Sequence, residues 1–261
     1  LPHSDLNAAR LPIPPQPHFK ESCQTLSNYD KHSVSTTDLI SRIPLMLEWK
    51  FSNEFVDYLA AEKQMVKRVD EIISNEKSEL IWMLEHNNIY TLGTSSNPTD
   101  FLKPSQIPSY KTNRGGQITY HGPGQRIIYV MLDLRRFNKD IRLFIETLED
   151  ILINTMDAFD IEVYPKRERI GLWIKKNKEE EKIGAIGLKV KKWISLHGIA
   201  ININPDMQYF DGIIPCGISE FGVTCLNNID PNFFLNKFDE KFLEYFELKI
   251  EKLITIDNLI L

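Results

Sequence analysis

The distribution of glycine constrains this chain more than any other feature. Only twelve glycines occur in 261 residues, yet four fall between positions 115 and 124 and six between 184 and 222. Glycine loses more backbone freedom on folding than any other residue, so a sequence concentrates it where the main chain bends sharply or approaches a neighbour closely. The first cluster is Arg114-Gly-Gly-Gln-Ile-Thr-Tyr-His121-Gly-Pro-Gly-Gln125. The second contains Lys182-Ile-Gly-Ala-Ile-Gly187, His197-Gly-Ile-Ala200 and Pro215-Cys216-Gly217. Two such clusters are expected to meet in space around a substrate. A lysine and a cysteine in the second make acyl chemistry the leading expectation.

A chain of this length buries a substantial core. Its apolar content of 42% and charged content of 26% are ordinary for a soluble globular protein. No apolar run approaches the ~20 residues that cross a bilayer, so no membrane association is expected. Leu1-Pro-His-Ser-Asp lacks the basic and apolar regions of a secretory leader, and the missing initiator methionine is expected of a processed or cloned fragment. Three widely spaced cysteines, Cys23, Cys216 and Cys225, argue against a disulfide framework and for a reducing compartment, the cytoplasm. No pair has zinc-site spacing, so no metal is expected. Residues 1–42 carry five prolines and no hydrophobic periodicity, and read as a flexible N-terminal extension; residues 43–261 read as the folded domain.

Charge is unevenly placed. The net charge is −5, but Lys166–Lys192 holds ten Lys/Arg against four Glu, an excess of six positive charges. Such a segment on an otherwise acidic protein attracts an anionic partner. Its centre, Lys175-Lys-Asn-Lys-Glu-Glu-Glu-Lys182, also reads simply as an exposed turn. Nothing in the pattern points to nucleic acid.

Hydrophobic spacing supplies the elements. Ser52 is a candidate cap for a helix carrying Tyr58, Met65, Val66, Val69, Ile72 and Ile73 at helical spacing. Leu80–Leu84 and Ile89–Gly93 read as strands, and Asn97–Ser109, with three prolines, as a loop. Gln117–Tyr120 and Arg126–Leu132 read as strands flanking the His-Gly-Pro-Gly turn. Asp140 opens a helix whose inner stripe is Ile141, Phe144, Ile145, Leu148, Ile151, Leu152 and Thr155. Strands are expected at Ile161–Tyr164, Ile170–Ile174, Lys182–Val190 and Trp193–Ile203. A last helix from Pro231 presents Phe234, Leu235, Phe238, Phe242, Leu243 and Phe246. Helices and hairpins alternate irregularly, which predicts an α/β fold of the α+β type with a mixed, largely antiparallel sheet and packed helices.

Several residues carry candidate chemistry. Cys216 is either a buried small hydrophobe or a nucleophile, and its setting between a rigid proline and a glycine suits presentation of one thiol. Lys182, among apolar and glycine residues, is either the partner of that thiol or a surface lysine ending the acidic turn. Arg114-Gly-Gly offers successive amides and a cation to a carbonyl or phosphate oxygen. It lacks the Gly-Lys-Ser/Thr ending of a nucleotide-hydrolase phosphate loop. His121 and His197 are either acid–base groups or hydrogen-bonded structural histidines.

Taken together, these blocks resemble the lipoyl(octanoyl) transferase family. The resemblance rests on Arg114–Gln125 with Leu132-Asp-Leu134, Lys182–Leu188, His197-Gly-Ile-Ala-Ile-Asn-Ile-Asn204 and Ile214-Pro-Cys-Gly217. Leu84–Thr94 is similar to the family's upstream strand pair, with Asn87-Asn88 where two prolines are common. The resemblance runs from about Leu45 to about Leu226.

It implies the fold of the lipoate and biotin protein ligase catalytic domain and a transfer that needs no cofactor. The octanoyl group is expected to come from octanoyl-acyl carrier protein and to go to a lysine on lipoyl domains of 2-oxoacid dehydrogenase E2 subunits or the glycine-cleavage H protein. By resemblance, Cys216 carries the acyl group and Lys182 activates it. The implied substrate contacts are Arg114, Gly115, Gly116, Gln117, Ile118, Thr119, Tyr120 and His121, with Ala185, Ile186, Gly187, Gly198, Ile199 and Ala200. The rival readings are an ATP-dependent ligase, an amidotransferase that moves octanoyl between lipoyl domains, and a non-catalytic binder of acylated carriers.

Overall fold

The computed structural model of the chain describes residues 47–103, 106–176, 179–215 and 221–259. The expected extension, Cys23 and Cys216 therefore lie outside the described residues.

Two sheets organise the fold among the described residues. The large one contains β1 (Leu47–Phe51), β2 (Glu79–Leu84), β6 (Gln125–Met131), β7 (Tyr164–Pro165), β8 (Leu172–Lys176), β9 (Glu179–Lys191), β10 (Ile194–Asn202) and β11 (Gly222–Val223). Its order is β1-β2-β6-β10-β9-β8-β7, with β11 pairing β9 off this path. The small sheet has β3 (Ile89–Leu92) at its centre, between β4 (Ser109–Lys111) and β5 (Ile118–His121). Most pairings are antiparallel; β1 on β2, β3 on β4 and β11 on β9 are parallel.

Helices cover both faces of the large sheet. Helix α1 (Tyr58–Ile73) sets Ala61, Met65, Val69 and Ile72 against Leu80, Trp82, Leu84, Tyr129 and Met131. Helices α2 (Ile141–Asp157) and α3 (Leu235–Leu259) pack Phe144, Leu148, Ile151, Phe238, Phe242 and Phe246 against Ile81, Met83, Ile128 and Val130. Because alternate residues face two cores, every residue of β2, β6 and β10 is buried. A strand covered on both faces has no polar alternation, which is why Leu80–Leu84 reads as a continuous apolar run. Burial of about ten such side chains contributes roughly 1.5–3 kcal/mol each.

The boundaries differ from expectation where capping chemistry decides. Helix α1 starts six residues after Ser52: Asp57 accepts the Ala60 amide at 2.9 Å, whereas the Ser52 hydroxyl accepts the Trp82 indole N–H at 2.9 Å. Asp140 caps α2 as expected, taking the Arg142 and Leu143 amides. Phe234 is exposed, and Phe233 takes the inward place, edge-on to Phe159 at 4.8 Å. The strand expected at Ile161–Tyr164 is reduced to Tyr164–Pro165. The turn at 122–124 carries the chain from the small sheet to the large one.

Candidate active site

The site forms where β9 outruns β8. Strand β8 pairs only with the Glu179–Gly184 half of β9. On the other half, the Arg114-Gly-Gly loop docks on the open edge, Gly115 donating its amide to the Leu188 carbonyl at 3.1 Å. That amide is therefore engaged in holding the loop, and of the two glycine amides expected to face a ligand oxygen it is not available. The loop is gripped from its other side too: Thr94 and Ser95 donate their amides to the Arg114 and Gly116 carbonyls at 3.0 and 3.1 Å. Gly116 sits at φ 85°, a conformation that favours glycine. A Cβ at Gly93 would lie 2.2 Å from the Gly116 carbonyl oxygen. The Arg114 guanidinium is fixed by the Thr91 carbonyl at 2.7 Å and the Thr91 hydroxyl at 2.8 Å.

Between loop and sheet lies a cavity of about 690 Å³. Cross-strand register builds its floor: Tyr129, Gly198 and Gly187 form one row, and Ile127, Ala200 and Ala185 the next. Small residues on β9 and β10 leave the depth that an extended chain needs. Gly198 has a second reason to be glycine, since a Cβ there would fall 2.0 Å from the Ile128 carbonyl oxygen. Gly184 faces away, towards Ile201, and gives no room to the slot. Ile141 and Ile145, expected on the core stripe of α2, line the cavity instead, with Ile186, Leu188 and Ile199.

Arg114, Gly115, Gly116, Gln117, Thr119, His121, Lys182, Ala185, Ile186, Gly187, Gly198, Ile199 and Ala200 all line this one cavity. Ile118 and Tyr120 do not. Strand alternation turns them to the opposite face of β5, where they pack with Tyr90, Phe210 and Ile213. The Tyr120 hydroxyl donates to Asn88 Oδ1 at 2.8 Å and its ring stacks on Tyr209 at 4.8 Å. Those contacts set Tyr120 in the core behind the small sheet, outside the cavity lining.

One wall is made of neutral aromatic polar groups that spacing did not reveal: Tyr58, Tyr129 and, behind them, His86. His86 Nδ1 lies 2.7 Å from the Val56 carbonyl, which only accepts, so Nδ1 carries the proton. Nε2 then accepts the Tyr129 hydroxyl at 2.7 Å. His121 is fixed the same way: Nδ1 donates to Gln125 Oε1 at 2.7 Å. Gln125 donates to Asn202 Oδ1 at 2.8 Å, Asn202 to the Thr224 carbonyl at 3.0 Å, and the Thr224 amide to the Lys182 carbonyl at 2.9 Å. This buried chain is fully satisfied and links the small sheet to the main chain of Lys182. Burial depresses the imidazoles, His86 to about 4 and His121 and His197 to about 3, with the Arg114 charge also acting on the last two. Burial pushes the Tyr58 phenol up to about 12. His197 holds φ at 63°, strained for a non-glycine residue in a strand, and its amide turns to Met65 Sδ at 2.9 Å.

The opposite wall carries charge. The Lys182 side chain is buried, with 7% of the residue exposed. Its Nζ donates to the Ile170 carbonyl at 3.0 Å and lies 5.5 Å from the Trp173 ring centroid. Gly171 sits at φ 134°, and a Cβ there would be 2.6 Å from Lys182 Cε.

Cys216 lies outside the described residues, but both flanks are anchored. The Ile214 amide donates to the Asp100 carbonyl at 2.7 Å. Phe221 stands edge-on to Trp173 at 5.5 Å and under the Arg169 guanidinium at 4.1 Å. Immediately beyond, β11 runs parallel to β9 and pairs Val223 with Lys182. Cys225, in contrast, is a buried free thiol. Among the described residues no group of three or more His, Cys, Asp or Glu is arranged to hold a metal, and no helix is long and apolar enough to cross a membrane.

Residues 56–247 match the lipoyl protein ligase A/B catalytic domain. The chain is 44% identical over 207 residues to an octanoyltransferase of Zymomonas mobilis, covering 79% of this chain and 96% of that one. It is 44% identical over 202 residues to an octanoyltransferase of Rhodospirillum rubrum, covering 77% and 94%. Among solved structures, P. falciparum LipL1 in complex with lipoate superposes with a TM-score of 0.60 at 16% identity, covering 79% of this chain and 62% of that one. An archaeal bipartite lipoate protein ligase with its E2 lipoyl domain, from Thermoplasma acidophilum, gives 0.58 at 14% identity, covering 79% and 83%. The structures establish a shared fold and the sequences a closer kinship: this chain belongs to the lipoyl(octanoyl) transferase family and is an acyltransferase.

Proposed function

We propose that the enzyme moves octanoyl from a carrier-protein thioester to a lysine of a lipoyl domain, through a thioester on Cys216. Octanoyl transfer in protein lipoylation follows from membership of the family; the donor, the acyl-enzyme and the residue roles are this reading. The observation that carries it is the placement of Lys182. Its buried head lines the cavity, and its main chain is bonded to the segment that leaves Cys216. Cys216 is two residues from Ile214 and therefore within roughly 7 Å of it, whatever the path of the chain.

The chemistry balances without an external energy source. Neutral Lys182 takes the Cys216 proton, and the thiolate attacks the octanoyl thioester carbonyl. The C–S bond to the carrier breaks, and the carrier thiol leaves with the proton held by Lys182. The acceptor amine then attacks the new thioester, a C–N bond forms, Cys216 is released as thiolate, and Lys182 returns the amine proton to it. The first half exchanges one thioester for another and the second makes an amide from a thioester, so the sequence runs downhill. The slot lined by Ile141, Ile145, Ile186 and Ile199 suits the eight-carbon chain.

The partners in this reading are octanoyl-acyl carrier protein and the lipoyl domains of 2-oxoacid dehydrogenase E2 subunits and glycine-cleavage H protein. The catalytic unit is residues 43–261, working in the cytoplasm. Intact-mass measurement after mixing with octanoyl carrier protein is expected to show one octanoyl adduct, absent in Cys216→Ser. A requirement for ATP and free acid would instead indicate a ligase, and a Cys216→Ser variant with full transfer activity would remove the mechanism.

A further inference from the structure

Helix α2 buries one carboxyl group, on a face otherwise made of apolar residues and two threonines. Glu149 is 7% exposed, beside Leu148, Ile151 and Leu152. Placing a carboxyl there is costly unless it is bonded. Its Oε1 accepts the Gly171 amide at 3.4 Å. The Ile170 carbonyl, the other side of that peptide, accepts Lys182 Nζ at 3.0 Å. The peptide 170–171 is thus held between an acidic and a basic side chain, its N–H on the carboxylate and its C=O on the amine. The two bonds are made to opposite ends of one peptide, so each polarises the group making the other. Only glycine permits this arrangement at position 171, since φ is 134° and a Cβ would be 2.6 Å from both Lys182 Cε and the Gly184 carbonyl oxygen.

We propose that Glu149 is a positioning residue, acting through the Ile170–Gly171 peptide to hold the head of Lys182 in the cavity wall. This rests on the proposed role of Lys182. Glu149 does not line the cavity, so it works on the lysine from behind.

The test separates this role from plain packing. Glu149→Met has similar volume and suits the apolar face, so a residue serving the core alone predicts unchanged or raised thermal stability with full activity. The positioning role predicts a folded, equally stable Glu149→Met enzyme whose single-turnover acylation slows about 30-fold, with the KM for octanoyl carrier protein unchanged. Glu149→Gln keeps an acceptor for the Gly171 amide and is expected within about threefold of the parent. Gly171→Ala is expected to mimic Glu149→Met, and the double variant to be no slower than the worse single one, as residues acting on one element are non-additive. A Glu149→Met enzyme acylating at the parent rate, or a multiplicative loss in the double variant, overturns the proposal. Should Glu149→Met fail to fold, a Glu149→Gln enzyme that folds but loses 30-fold does the same. If the parent enzyme itself forms no octanoyl adduct, the proposed function fails; if it does and Glu149→Met matches it, only this inference fails.

Discussion

The two walls of the cavity solve opposite problems with equally buried groups. On one, His86, His121, Tyr58 and Tyr129 bond to neutral partners, and burial keeps each in its uncharged form. On the other, Lys182 bonds to a carbonyl whose peptide is backed by Glu149, with the Trp173 ring alongside. The difference teaches that burial alone does not make a base. A buried imidazole whose only partners are neutral is a fixed donor–acceptor, whereas in the proposed mechanism the proton moves through the amine on the other wall. On the proposed reading the histidines of the two motifs shape the pocket, and proton transfer is assigned to Lys182.

Breaking the charged wall has the largest expected effect. Lys182→Ala should lower the acylation rate by about 10²–10⁴-fold, the range of a lost general base, and alter the pH–rate profile, with the fold intact by circular dichroism. An unchanged profile would return the base role to the histidines.

The neutral wall should instead show itself in stability against pH. His86, His121 and His197 are depressed to about 4, 3 and 3 from an ordinary 6.5. A base depressed in the fold gives stability that is complete above its unfolded value and is lost as pH falls, because the unfolded chain binds the proton first. Three such groups act between pH 6.5 and 4, while Asp239, raised to about 6 mainly by burial, and Glu79 and Glu149, also raised by burial, oppose them in part. Denaturant titrations should show stability falling as pH drops through that window, the three histidines outweighing the raised carboxyls. A flat curve would mean that the histidines are charged in the fold. A smaller effect is expected from Tyr129→Phe, which strands the buried His86 Nε2. It should cost about 1–3 kcal/mol of stability while acylation stays within a few fold. A collapse in acylation there would blur the contrast between the walls.

The smallest effect concerns the basic segment. Sequence places its charges together; the structure pulls them apart, since the twelve residue steps of β9 from Glu179 to Lys191 extend roughly 40 Å. Lys166 is paired with Glu180 and Lys191 with Asp70. Replacing Lys189, Lys191 and Lys192 with Gln should weaken carrier binding a few fold at low salt and not at high salt, while replacing Lys175 and Lys176 at the far end should do nothing. Equal effects at both ends would mean a broader docking face.

What the sequence made legible was chemistry with a local signature. The Arg114-Gly-Gly loop, the Lys182 strand and the His197–Ala200 strand could be joined because glycine and ionisable residues stand out from a chain otherwise built of apolar runs. The two glycines outside both clusters, Gly93 and Gly171, carry no such signal, yet a Cβ at either would intrude on a key site residue. Glu149 and His86 were invisible for the same reason: their partners are far away in sequence, at Gly171 and Tyr129. Ile141 and Ile145 have helical spacing like their core neighbours, and only the gap beside β9 turns them into cavity wall. Tyr120 was within reach, because strict alternation from Thr119 and His121 already places it on the other face of β5.

The run of bonds from His121 through Gln125, Asn202 and Thr224 to the Lys182 carbonyl ties the two glycine-rich clusters together by polar contacts, so neither cluster can shift without breaking a buried bond.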